Sequence, residues 1–181
     1  MKKNILAIGL GLLSMVSFAQ EKLVDKATHV KFYSHTSLED ITSHTYKVSS
    51  TFDPSTGIFV FSVPMQSFEF KESMRTKHFN SSKFLDTKQF PKAKFKGTVV
   101  DFSKVNLKKD GTYNVSVSGD FTLHGVTKKI TEKGKIVVKG GKISASAVFP
   151  VILKEYGIFF EKGKPSTNVA KEVEVTVEAK Y

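Results

Sequence analysis

From Thr28 onward, apolar and polar residues alternate in steps of two, the spacing of a half-buried strand, rather than in the 3.6-residue rhythm of a helix. Val30, Phe32, Ser34 and Thr36 fall on one face of a first strand, with His29, Lys31, Tyr33 and His35 on the other. Tyr46, Val48, Ser50 and Phe52 repeat the pattern. Asp53-Pro54-Ser55-Thr56-Gly57 then reads as a hairpin loop, because proline fixes φ and glycine is free to take a positive one. Residues 58–65 return as a strand with Phe59, Phe61, Val63 and Met65 on one face, and Pro64, which donates nothing to a ladder, marks an edge or a bulge there. Over 92–102, Ala93, Phe95, Gly97 and Val99 oppose Lys92, Lys94, Lys96 and Thr98. Asp110-Gly111 predicts a tight turn with positive φ. Beyond it Tyr113, Val115, Val117, Gly119, Phe121 and Leu123 share a face opposite Asn114, Ser116, Ser118, Asp120, Thr122 and His124. Segments 126–138 and 142–149 are further strands separated at Gly140-Gly141, and Val173, Val175, Val177 and Ala179 give the last alternating run.

Residues 72–85 break this rhythm. Few of them are β-branched, and Met74, Phe79 and Phe84 are spaced without alternation, which predicts a helix or helical turns. Pro91 ends the excursion. The chain is therefore read as all-β, with about eight strands and one short helical insertion. A meander of that length either packs as two sheets or closes on itself, and closure removes both exposed edges. The expected fold is a single antiparallel β-barrel. At about eight strands its interior is filled by side chains or holds one small ligand. Sixteen phenylalanines and no tryptophan make that interior wide and aromatic in either case.

Residues 1–19 carry Lys2 and Lys3, an apolar run from Ile5 to Val16, and Ser17-Phe18-Ala19, with small residues at the two positions a signal peptidase reads. They are expected to be a secretory signal peptide, leaving 20–181 as one exported domain, periplasmic or secreted. The run is shorter than the roughly 18 apolar residues of a membrane span. The chain has no cysteine, which removes disulfides, thiolate zinc sites and thiol nucleophiles, and with them a lipid-modified anchor. Loss of Lys2 and Lys3 lowers the formal net charge from +11 to +9, still basic. That charge suits a lysine-coated soluble surface or attraction to an anionic membrane surface. It is nearly all lysine, with Arg75 the only arginine, which speaks against nucleic acid, since bidentate readout favours arginine.

Candidate chemistry is sparse. His78 and His124 could hydrogen-bond a ligand oxygen or change charge near neutral pH; their plainer role is to tie backbone at a helix or strand end. His35, His44, His78 and His124 lack the H-x-H or H-E-x-x-H spacing of a zinc site, so no metal is expected. No G-x-S-x-G elbow or glycine-rich phosphate loop is present. Asp86, Asp101, Asp120 and Glu155 have no spacing that sets two carboxylates across a cleft, so a hydrolase is the weakest reading and no enzyme is expected. The apolar faces are the better candidates. Phe61, Phe95, Phe121, Leu123 and Phe149 lie on the drier faces of separate strands, while Phe79 and Phe84 lie on the insertion that could cover one barrel end. They either pack a core or line a site for an apolar ligand.

Three segments carry a resemblance. Met74-Arg75-Thr76-Lys77-His78-Phe79-Asn80-Ser81-Ser82-Lys83-Phe84-Leu85-Asp86, followed by Phe90-Pro91-Lys92-Ala93-Lys94-Phe95, resembles the central signature of the YceI-like family of lipid- or polyisoprenoid-binding periplasmic proteins. Gly119-Asp120-Phe121-Thr122-Leu123-His124-Gly125-Val126-Thr127-Lys128 resembles that family's second signature, at the matching distance, and Glu155-Tyr156-Gly157-Ile158 its acidic-aromatic-glycine-aliphatic segment. The resemblance implies a lipocalin-like antiparallel barrel with a helical insertion, whose tunnel holds the chain of a polyisoprenoid, isoprenoid quinone or similar long apolar lipid, with no catalysis and no other cofactor. Phe121 stands where the family often has leucine, and Leu153 near where it often has arginine, a change that weakens any polar grip on a head group. Phe61, Phe79, Phe84, Phe95, Phe121, Leu123, Phe149, His78 and His124 are then the candidate ligand contacts. The alternative is a non-catalytic cell-envelope module that works through its lysine-rich surface, with Lys92, Lys94 and Lys96 in a row and Lys128, Lys129, Lys133 and Lys135 beside them.

Overall fold

Each alternating run becomes a strand whose apolar side turns inward, and the strands close on themselves. The computed structural model describes residues 21–161, 163 and 165–181, so the leader predicted over 1–19 lies outside the described residues. In chain order come β1 (Leu23–His35), β2 (Asp40–Asp53), β3 (Ile58–Pro64), α1 (Ser73–Asn80), β4 (Lys92–Val99), β5 (Gly111–Leu123), β6 (Val126–Lys139), β7 (Lys142–Ile152), α2 (Pro165–Asn168) and β8 (Glu172–Lys180). Every strand pairs antiparallel with the next, and β8 returns to β1 through Val30↔Val177 and Phe32↔Val175, closing the barrel.

The structure corrects several sequence expectations, the first of them at a turn. The two-residue hairpins are His124-Gly125, with φ of 51° and 78° between Leu123 and Val126, and Gly140-Gly141, with φ of 57° and 76° between Lys139 and Lys142. Two consecutive positive φ values match the twist of the flanking strands. Asp110-Gly111 is no such turn. Gly111 opens β5 outside the positive-φ set, at the end of a longer connection that bends through a 3-10 turn at Phe102–Lys104. The Asp110 carboxylate instead accepts the Gly140 N–H at 3.0 Å. For the same reason β4 stops at Val99, and Phe102 swings beneath the barrel against Phe52.

Tyr46 is the second correction. Thr28 pairs with Val48 but Val30 pairs with Thr45, so Tyr46 and Lys47 together oppose His29 in a β-bulge. The extra residue flips the face, and Tyr46 stands outside at 62 % exposure while Ser43 and Thr45 turn in. Pro64 is neither edge nor bulge: it is the last residue of β3, opposite Lys92, where the chain leaves the sheet.

The interior has two parts. At one end Phe52, Phe59, Val99, Ile136, Val138 and Ile143 form a packed core, with Phe52 and Phe59 stacked at 4.4 Å and Tyr181 beside both. Burial pushes the Tyr181 phenol up to about 12, and its hydroxyl donates to Ser50 Oγ at 2.8 Å. The other end is wider and lies under α1. There β6 and β7 part company: their ladder runs from Lys139↔Lys142 only as far as Gly134↔Ala147, after which β6 pairs with β5 alone and β7 with β8 alone. A short helical turn, Leu153–Tyr156, lies beside this seam, and Lys128 Nζ donates across it to Glu155 at 2.8 Å.

Candidate ligand-binding cavity

The wide end encloses a cavity of about 780 Å³, within the range of small-molecule sites. Its walls follow from strand alternation. Val30 and Phe32 of β1, Phe61 and Val63 of β3, Phe95 of β4, Val117, Phe121 and Leu123 of β5, Phe149 of β7 and Val175 and Val177 of β8 all face it. Gly97 leaves room on the inner face for the Phe95 ring, which occupies the space a side chain there would need. The floor is the packed core at the other end.

The roof comes from the insertion. Phe79 of α1 is 7 % exposed and meets Phe32, Phe68, Phe70 and Phe84 at ring distances of 5.0 to 5.9 Å. Phe84 in turn contacts Phe160 at 4.9 Å. The connection from β3 to α1 is sewn to β2 by Ser43 Oγ donating to the Glu69 carbonyl at 2.6 Å and by the Thr45 and Ser67 hydroxyls at 2.7 Å. That explains why Ser43 and Thr45, inward residues of β2 here, are hydroxyls.

At the roof's margin the only arginine links three elements. Arg75 of α1 donates to Glu39, at the entry of β2, and through Nε to Glu72 at 2.6 Å, while Asn168 of α2 donates to the other Glu39 oxygen at 2.9 Å. The Asn168 amide and Arg75 hold the Glu39 carboxyl below the usual carboxylate range. Glu39, Arg75 and Asn168 all border the cavity.

Eight of the nine residues singled out in the sequence border this space: Phe61, Phe79, Phe84, Phe95, Phe121, Leu123, Phe149 and His78, the last an exposed residue of α1 at the rim. His124 does not. It occupies the β5–β6 turn, packs edge-on against Phe90 at 4.6 Å, and its Nδ1 lies 3.1 Å from the Tyr156 carbonyl oxygen. A Cβ on Gly125 would come within 2.5 Å of Phe90. The three signature-like segments thus meet at one corner, where they fasten the hairpin to the turn beside the seam. Tyr156 is buried there, its phenol pushed up by that burial and by Glu155 and Glu132.

Sequence reasoning missed Glu39, Asn168 and Glu132. Glu39 reaches Arg75, and Asn168 reaches Glu39, from far along the chain, so neither leaves a local sign. Glu132 did leave one: it falls in step with Val126, Ile130, Ile136 and Val138 on β6, so the same alternation that turns those residues inward turns it inward too. Among the described residues no group of three or more histidines, aspartates or glutamates is placed to hold a metal ion.

The family model described as the YceI-like domain matches residues 22–181. A UPF0312 protein of Pseudomonas putida (strain W619) is 36 % identical over 110 residues, covering 58 % of this chain and 52 % of that protein, so the chain spans about half the length of that relative. A UPF0312 protein of Enterobacter sp. (strain 638) is 29 % identical over 187 residues, covering 93 % of each. Among solved structures, a polyisoprenoid-binding domain from Saccharophagus degradans, implicated in plant cell wall breakdown, superposes with a TM-score of 0.74 at 18 % identity, covering 88 % of this chain and 97 % of that one.

Proposed function

The chain belongs to the YceI-like family, and from that membership and its cavity we propose that it is a binding protein that sequesters or carries a polyisoprenoid, an isoprenoid quinone or a similar long apolar lipid in the barrel. The observation that carries this reading is the phenylalanine-walled space of about 780 Å³ under α1. A filled interior would have meant a purely structural barrel. Removing apolar surface from water yields about 25 cal/mol per Å², so several isoprene units give micromolar or tighter binding with little polar help. The polyisoprenoid-binding neighbour supports the same ligand class. The role is non-catalytic. Residues 1–19 act as the export signal, which places the protein in the periplasm or outside the cell. The test is native mass spectrometry and lipid extraction on protein purified from a membrane-containing host. A co-purifying isoprenoid, or saturable binding of one by the delipidated protein, is the expected result; no bound lipid together with no saturable binding of long-chain isoprenols or quinones overturns it.

A further inference from the structure

Besides the polar groups at the roof's margin, the cavity is bordered, among the described residues, by one carboxylate on a barrel strand, Glu132 of β6. It pairs with Val117 on β5 and shares its inward face, bordering the cavity. It lies just beyond Gly134↔Ala147, the last pair joining β6 to β7, where the barrel wall opens into the seam. No hydrogen bond or ion pair to a described residue satisfies it, and no unbonded side-chain oxygen is sealed away from solvent, so the Glu132 carboxyl is within reach of a ligand. The neighbouring lysines do not compensate it. Lys133 and Lys135 fall on the outer register, opposite Ser116 and Asn114, Lys135 also bordering the cavity, and Lys128 is engaged by Glu155; none of the three forms an ion pair with Glu132. Burial alone raises its pKa, with no cation contributing.

A carboxylate accepts hydrogen bonds and donates none. Partly desolvated and unpartnered, it gains most from an arriving donor, while a phosphate brought to the same place adds like charge beside it. We propose that Glu132 is the head-group anchor of the cavity, selecting apolar lipids that end in a hydrogen-bond donor such as a free alcohol and rejecting their phosphorylated forms. The proposal rests on the lipid-binding reading above and adds its specificity. The tail lies among the phenylalanines, and the head sits at the seam.

Three probes with one tail separate the terms: geranylgeraniol, its methyl ether and geranylgeranyl diphosphate, titrated into delipidated protein. The wild type is expected to bind the alcohol about tenfold more tightly than the ether, the scale of one charge-assisted hydrogen bond, and the diphosphate most weakly. In Glu132→Gln, which keeps the shape, the alcohol and ether should converge to within about threefold and the diphosphate should gain about tenfold. Lipid-free Glu132→Gln and Glu132→Leu should also melt no lower than the wild type, because each removes an unpaired carboxylate from an apolar wall. Equal binding of alcohol and ether by the wild type, preference for the diphosphate, or an unchanged ratio in Glu132→Gln overturns the anchor while leaving the lipid-binding reading intact. A lower melting point in both variants also overturns it, by showing the carboxylate to be a structural partner. Failure of all three probes to bind the wild type overturns the anchor, and the absence of any co-purifying lipid or saturable binding of longer isoprenols or quinones would overturn the lipid-binding reading as well.

Discussion

Phe52 and Phe121 are both inward phenylalanines, yet their surroundings predict opposite behaviour. Phe52 is fully buried and stacked on Phe59 in the packed end. Phe52→Ala should cost about 3–5 kcal/mol, because burial is lost and a void is left. Phe121 faces space that already exists, held between Phe149 and Tyr156. Phe121→Ala should cost only about 1–2 kcal/mol of partial burial and weaken lipid binding more clearly. Urea unfolding of delipidated variants beside lipid titration checks the pair; equal large losses of stability with unchanged affinity would make Phe121 plain core. His44 supplies a pH dependence. Burial, then His29 and Lys31, hold its imidazole below the ordinary value near 6.5, and it shares a 3.0 Å nitrogen contact with His29, whose other nitrogen meets Glu178, while Tyr46 stacks on His29. The unfolded chain therefore takes up the proton more readily than the folded one, and stability present above pH 6.5 is lost as the pH falls through that value. Denaturant midpoints should drop between about pH 7.5 and 5.5, and His44→Gln should flatten the drop.

At the scale of elements, glycines on β5 test the register and the turn assignment together. Gly119 faces Gly97 across the β4–β5 pair, and a Cβ there would lie 2.3 Å from the Gly97 Cα and 2.3 Å from the Lys96 carbonyl oxygen, both backbone atoms that cannot swing aside. Gly119→Ala should cost about 1–3 kcal/mol as the strands are pushed apart. Gly111 has ordinary φ, and its nearest neighbour for a Cβ is Tyr113 at 3.6 Å. Gly111→Ala should be neutral or stabilising by about 0.4–1 kcal/mol, since it restricts only the unfolded chain. Were Asp110-Gly111 the tight turn its sequence suggests, that substitution would instead be penalised, so thermal melts of the two variants decide the point. The misreading has a physical cause: Asp-Gly favours positive φ, but the partner strand begins far enough away that a longer connection is needed. His124-Gly125 carries a weaker sequence signal, because the strong two-residue hairpin pairs are Asn-Gly, Asp-Gly and Gly-Gly; here the contacts to Phe90 and Tyr156 hold His124 at positive φ. The bulge at Tyr46 was equally hidden, since one extra residue leaves the local composition unchanged while inverting the face. What alternation alone made legible were the strands, the insertion and most of the cavity wall. The Arg75 junction, which depends on residues distant in sequence, was not.

Across the whole molecule, closure sorts charge as well as apolar surface. Lys94 and Lys96 of β4 and Lys129, Lys133 and Lys135 of β6 occupy the outer register of neighbouring strands, with Asp120 of β5 between Lys96 and Lys129. Among the described residues none of these five lysines forms an ion pair. The outer register of β8 carries Glu172, Glu174 and Glu178 instead, with Lys180 at its end. The barrel thus has a basic wall and an acidic one, and the basic wall borders the seam at which Glu132 is proposed to hold a head group. We propose that this wall turns the seam toward an anionic membrane surface. The attraction is electrostatic, so it must fade with salt: the Debye length falls from about 10 Å at 0.1 M to about 3 Å at 1 M. Cosedimentation with vesicles rich in anionic lipid should show binding at low salt and little near 1 M, and neutral vesicles should bind at neither. Reversing the wall with Lys94→Glu, Lys96→Glu and Lys129→Glu should abolish the low-salt binding. Glu172→Lys with Glu174→Lys, on the far wall, should not weaken it. Negligible binding of the wild type at both salt concentrations would show that the lysines serve only solubility, and a loss in the β8 variant equal to that in the lysine variant would show that net charge, not the placement of the wall, governs the interaction.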